Sequence, residues 1–282
     1  MKFLFDDESF SFEALRAAGY AAYAGADLGE VLVTCRDIPE GDHDAWSTRW
    51  AATAARVELI GRDAQAAGHR VSAREALLRA SNYYRTADFY RRENPAQDTE
   101  SARLATSSQQ TFADAVTLFD TPVRAVEIPY EDVSLPGYLF LVDDSGARRP
   151  TVLFHGGYDS TRRRDPRRTG RPDGPGHGCP LGRAQRAVDL RRTRLRRAPR
   201  RGRALHDERG HRAHHVPDAG AGGGERPVFF RGQPQRVYDE LTSVKELIVF
   251  REDEGGGEHC HEGALLLFHQ RTFDWLDTVL GR

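Results

Sequence analysis

The chain of 282 residues changes chemistry abruptly at about residues 161 and 235. Between those points lie 75 residues with 20 Arg, no Lys and only 7 Asp or Glu, a net charge of +13. The flanks carry the compensating −14, so the overall −1 conceals two opposed halves. Strongly apolar residues (V, I, L, M, F, W, Y) number 9 of 75 in the middle and 63 of 207 outside it, and Gly and Pro take 20 of the 75. A segment this poor in apolar side chains cannot bury enough surface to offset its conformational entropy. The composition therefore predicts disorder over 161–235 and confines any hydrophobic core to the flanks.

Three accounts compete for the middle segment. An arginine-rich arm binding nucleic acid through 161–212 would gain affinity by neutralising phosphates and releasing counterions. Against it, no Phe, Tyr or Trp occurs between Tyr158 and Phe229, so bases find no stacking platform. A second account is a plain linker. A third is out-of-frame or deleted coding. The flanks use 19 Arg and 2 Lys, as a GC-rich gene would, and such a gene read out of frame yields mostly Arg, Pro, Gly, Ala and His.

Other whole-chain features exclude several classes. No apolar run approaches the roughly 20 residues of a membrane span. The N-terminal MKFLFDDESF is too acidic for a signal peptide. Cys35, Cys179 and Cys260 are odd in number, far apart and without a CxxC pair, which argues against a disulfide framework and structural zinc. A cytoplasmic protein with no membrane partner and no cofactor is expected.

Residues 9–119 read as helices. Asp42 or Asp44 caps a helix carrying Trp46, Trp50, Ala54, Val57 and Ile60 on one face, and Gly68 ends it. Ser72-Ala-Arg-Glu75 reads as a capping box, followed by Leu77, Ala80, Tyr84 and Ala87 at helical spacing. A third helix, about 99–119, shows Ala105, Ser108, Phe112, Val116 and Phe119. These aromatics are expected in the core, with a cavity lined by Tyr83, Tyr84 or Tyr90 as the alternative. After Pro122 the period changes. Val126, Ile128 and Tyr130 alternate as in a half-buried strand, and Leu135–Val142 forms a second, with Gly146 in the turn after it. Thr151-Val-Leu-Phe154 and Leu247-Ile-Val-Phe250 are continuous apolar runs, as in strands covered on both faces. A last helix, about 262–280, is expected to bury Leu266, Phe273, Leu276 and Leu280. The organisation predicted is a helical region (1–120), first strands of a sheet (121–160), the Arg-rich segment (161–235) and a closing strand, loop and helix (236–282). That is an α/β class with an incomplete sheet.

Two short motifs carry chemistry. His155-Gly-Gly-Tyr158 directly follows a run read as a buried strand. Glycines there let the backbone approach a substrate, and a backbone N–H can stabilise a developing oxyanion. A tight Gly turn is the plainer alternative. Gly255-Gly-Gly-Glu-His259-Cys-His261 lies between the last strand and the last helix, where a hydrolase places its His. A surface loop and a Cys/His metal site are the alternatives, though the spacing matches no zinc pattern. Cys260 is a poor nucleophile candidate, because its neighbouring His side chains point elsewhere in an extended loop. The middle His cluster at 206, 211, 214 and 215 and the Gly-rich Asp173–Gly178 are weak metal and phosphate signals respectively. No GxSxG occurs, and no Ser lies between Ser160 and Ser243. No acid ends a convincing strand before Arg236–Leu241 either.

With these pieces in place, a resemblance emerges. Gly25-Ala-Asp-Leu-Gly-Glu-Val-Leu32, Gly41–Trp46, Gly68–Glu75 and Arg79-Ala-Ser-Asn-Tyr-Tyr-Arg85 resemble α/β hydrolases with an N-terminal helical cap. That group includes 2,6-dihydroxypseudooxynicotine hydrolase-like C–C hydrolases, FrsA-like esterases and proteins labelled dipeptidyl aminopeptidase. Phe154–Thr161 is similar to the family's oxyanion loop, Asp173–Gly178 to its DGPGQG stretch, and Glu246–His261 with Phe273–Leu276 to its final strand, His loop and helix. The resemblance implies a Ser-His-Asp hydrolase that cleaves an ester, amide or activated C–C bond of a small molecule held between cap and sheet. It carries over Gly156, Gly157 and Tyr158 as oxyanion loop and His259 as general base. The nucleophile and acid have no counterpart, so a defective enzyme is expected. A homodimer is compatible with this reading.

Overall fold

The computed structural model describes residues 2–91, 97–130, 133–154, 187–189, 194–196, 218–219 and 233–280. By contact the chain divides into two units, Met1–Ala115 with Asp207–Arg282, and Val116–His206.

The first unit is built on five helices: α1 (Glu8–Gly19), α2 (Leu28–Arg36), α3 (His43–Ala66), α4 (Arg70–Asp88) and α5 (Thr99–Val116, its last residue in the second unit). Acidic side chains start most of them. Asp7 accepts from Phe10 N, Asp27 from Gly29 N, Asp42 from Ala45 N and Asp98 from Ser101 N. Each satisfies an orphan N–H of a first turn. The α3–α4 hairpin dominates the core. Trp46, Trp50, Ala54 and Val57 are fully buried, as the spacing predicts. The stripe then continues to Gly61, while Ile60 is exposed. A Cβ on Gly61 would stand 3.0 Å from Leu77 Cγ, so the missing side chain lets the two helices approach. Gly68 closes α3 with φ +79°. Its N–H donates to Gln65 O and that of His69 to Ala64 O, the paired bonds of a Schellman ending.

That ending displaces the predicted capping box. Only one residue separates the Schellman turn from the next helical bonds, so α4 begins at Arg70 with His69 at its N-cap, and Ser72 lies inside the first turn. The predicted face of α4 holds: Leu77, Ala80, Tyr84 and Ala87 are buried. Tyr83 and Tyr84 are core residues, and Tyr90 packs half-buried against the core. Tyr83 donates to Glu30 (2.7 Å), Tyr84 donates to Glu58 (2.9 Å), and Tyr90 stacks on His43 at 4.5 Å. Helix α5 stops at Val116, three residues early, and its buried face is Ser101, Leu104, Ala105, Thr111, Ala115 and Val116, so that Ala105 and Val116 of the predicted face are buried.

In the second unit β1 (Val123–Tyr130) and β2 (Val133–Phe140) form an antiparallel hairpin. Val126, Ile128 and Tyr130 alternate inward as expected, and β2 begins two residues before its predicted start. Gly146 takes φ +69° in the turn after it. Two three-residue strands, β3 (Ala187–Asp189) and β4 (Arg194–Arg196), pair antiparallel. Thr151–Phe154 is not a strand. Val152, Leu153 and Phe154 are exposed, Phe154 by 90 %. A doubly covered strand requires ladder partners on both sides, and among the described residues this run has none.

The C-terminal segment belongs to the first unit. β5 (Asp218–Ala219) pairs parallel with β6 (Val249–Phe250), α6 spans Gln233–Glu240 and α7 spans Leu265–Leu280. Only two residues of the predicted Leu247–Phe250 strand pair, and Phe250 alone is buried. Where an incomplete hydrolase sheet is expected, the strands of the described residues form three two-stranded sheets. Without a broad sheet beneath it, α7 exposes Leu266, Phe273 and Leu280, three of its four predicted core residues. No helix among the described residues is long and apolar enough to cross a membrane.

Candidate active site

The loop between β6 and α7 is the best-defined chemical feature. Two 3-10 turns shape it, Glu252–Glu254 and His259–His261. Gly256 and Gly257 are packed too tightly for side chains, since a Cβ would lie 2.9 Å from Phe250 Cβ and from Glu252 Cα respectively. Cys260 and His261 then both adopt left-handed backbone, at φ 57° and 58°. Such conformations cost non-glycine residues about 1–3 kcal/mol each and persist only where surroundings enforce them.

Two anchors enforce them here. His261 is buried, with its ring 4.3 Å from that of Phe250 and 4.9 Å from that of Phe268, and its Nδ1 bonds to Gly256 O at 2.9 Å. Burial, which penalises the charged form, pulls its imidazole below the usual range. Glu262 is buried on the other side. Its Oε1 lies 3.5 Å from Arg16 Nε, Arg16 reaches Glu13 at 3.3 Å, and Arg85 reaches Glu13 at 3.3 Å. Between these anchors His259 stays exposed, with the Phe12 ring 6.4 Å away.

The structure thus separates the two histidines of the motif: His261 is a core residue, and His259 is the one presented outward. Cys260 is exposed beside it. Gly156, Gly157 and Tyr158, expected as the oxyanion loop, lie outside the described residues, as do Asp173–Gly178 and the His cluster at 206–215. The acids of 236–241 sit in α6, where Asp239 accepts from Gln235 at 2.7 Å. Sequence reasoning missed the Glu13–Arg16–Arg85–Glu262 cluster. Its members lie on three separate segments, and only the positions of Glu13 and Arg16 one turn apart hinted at a pair. A cleft of about 510 Å³ elsewhere has Leu4, Phe5, Leu32 and Cys35 among its walls. Burial pushes the Cys35 thiol up to about 12, which removes it as a nucleophile.

Comparison with known proteins finds relatives of part of the chain. Residues 40–166 match the family described as "Esterase FrsA-like". The chain is 37 % identical over 158 residues to "Hydrolyase poxO" of Penicillium oxalicum, covering 55 % of this chain and 38 % of that protein. It is 38 % identical over 157 residues to "Alpha/beta hydrolase pydG" of Acremonium sp, covering 54 % and 36 %. To "20-hydroxy-prefusarin hydrolase FUS2" of Gibberella moniliformis it is 34 % identical over 163 residues, covering 56 % and 39 %. A crystal structure of 2,6-dihydroxy-pseudo-oxynicotine hydrolase matches with a TM-score of 0.34 and 21 % identity, over 43 % of this chain and 32 % of that one. The class these sequence matches define is the α/β hydrolases. Within it, the matched part of the chain is related to the FrsA-like esterases. The chain spans well under half the length of the curated relatives it matches.

Proposed function

We propose that the chain derives from a serine-type α/β hydrolase acting on an ester, amide or activated C–C bond of a small molecule. The match of residues 40–166 to FrsA-like sequence carries this reading. His259 is its general base, presented on a strained turn just before the last helix, where a hydrolase holds the His that takes and returns the nucleophile's proton. Gly156, Gly157 and Tyr158 are its oxyanion loop, and the helices of 1–120 are its cap. The chain itself is catalytically deficient, because the stretch where a nucleophile elbow belongs contains no Ser. Loss of the nucleophile leaves only the residual ~10³–10⁴-fold effect of oxyanion hole and binding.

The test is turnover of an aryl ester together with labelling by a fluorophosphonate. Turnover near background and no stoichiometric label are expected. Stoichiometric label would reveal a nucleophile and overturn the deficiency. The Arg-rich stretch favours a second reading, nucleic-acid binding through 161–212. It requires binding that weakens steeply with salt, and no binding at low salt would dispose of it.

A further inference from the structure

One surface of the helical region contacts the His loop at successive helical positions. On α1, Phe12 stands beside the His259 ring, Arg16 faces Glu262, and Leu15 packs on Gly263, where a Cβ would meet Leu15 Cδ1 at 3.2 Å. Positions 12, 15 and 16 form one face of a helix. The loop answers with its own closure, in which the Glu262 N–H donates to His259 O at 3.3 Å. We propose that α1 is the seat of His259, and that Glu262 is a positioning residue whose protonation state is transmitted to the His259 turn. Calling His259 a base rests on the hydrolase reading above; the seat itself does not.

The groups that decide the charge of Glu262 are few. Glu13 and Arg16 face it from α1 and Arg85 from α4, with Tyr20 just beyond α1 acting on both arginines. His259 and His261 flank it on its own loop. Glu262 Oε2 accepts no hydrogen bond, and its side chain is 5 % exposed. A carboxylate so placed is costly, and burial raises the group to about 7, against the pull of Arg16 and Arg85. The charge of Glu262 is thus set by its burial and by Arg16, Arg85 and Glu13, while its backbone N–H is bonded to the carbonyl of His259 three residues back. When it ionises, a charge appears in a dry cluster and draws on Arg16. The strained turn that shares its backbone must respond.

The experiment is an NMR titration of the full chain labelled with ¹³C and ¹⁵N. The side-chain carboxyl carbon of Glu262 should titrate near pH 7, and the ring signals of His259 should show a second inflection at that midpoint. Glu262→Gln should remove that inflection and leave the ring's own titration. Arg16→Gln should move the Glu262 midpoint upward. Titration of Glu262 in the ordinary carboxylate range would overturn the proposal. So would a single His259 inflection identical in wild type and Glu262→Gln. If Glu262→Gln does not fold, the wild-type carbon and ring titrations decide alone. None of these readouts uses turnover, so the absence of ester hydrolysis and the absence of coupling are separate results.

Discussion

His261 and Glu262 are adjacent, both buried, and respond to acid in opposite directions. The imidazole of His261 is depressed in the fold, so its contribution is complete above about 6.5 and is lost as pH falls through the folded value. The carboxyl of Glu262 is raised, so its contribution is complete below about 4.5 and is lost as pH rises through about 7. Glu262→Gln, which mimics the neutral acid, should therefore melt above wild type near pH 8, with the two converging near pH 5, by thermal unfolding at both pH values. His261→Ala should lower stability at neutral pH by about 2–3 kcal/mol in chemical denaturation, since it empties a site between two phenylalanines. The two core tryptophans make a second contrast. Trp46 Nε1 donates to Thr86 O at 2.8 Å, whereas Trp50 Nε1 is buried without a partner. Trp46→Phe should cost more than Trp50→Phe by about 1 kcal/mol, the worth of the lost hydrogen bond. Nothing in one-dimensional spacing separates the two residues, which share one helical stripe and the same burial.

At the scale of elements, the α3–α4 hairpin offers two glycines with different duties. Gly68→Ala forces a side chain into left-handed backbone and should destabilise by about 1 kcal/mol. Gly61→Ala gains about 1 kcal/mol of helix propensity but places a methyl against Leu77, and overpacking of about 1–3 kcal/mol should win. Denaturant midpoints of both variants check this. The stripes of α3 and α4 were legible because four-residue spacing of Trp and Ala leaves one apolar face. The start of α4 was not, because Ser72–Glu75 fits a capping box locally while the Schellman turn sets the start from the other side. The faces of α7 and of Thr151–Phe154 were misread for one reason. Apolar runs report a wish for burial, and burial needs partners that lie elsewhere in the chain.

For the molecule as a whole, the Arg-rich middle makes a proteolytic prediction. With 20 Arg in 75 residues and so little apolar content, limited trypsin digestion should cut within 161–235 before it cuts α3 or α4. Early cleavage inside 43–88 would contradict it. We also expect the nucleotide sequence over codons 155–240 to encode a GxSxG or strand-like Val, Ile and Leu runs in another frame. Their absence from all three frames would favour a deletion or a true linker. Hydrophobic period, acidic caps and the composition break are local properties, and from them the sequence by itself determined the helical N-terminal region, the β1–β2 alternation and the outlying chemistry of 161–235. It also marked the His259–His261 loop as the place to look. Which of the two histidines faces outward was decided only in three dimensions, where Phe250, Phe268 and Gly256 claim His261. The seat on α1 was decided there too, because Arg16 and Glu13 meet Arg85 and Glu262 from distant segments, and such convergence leaves no periodic trace along the chain.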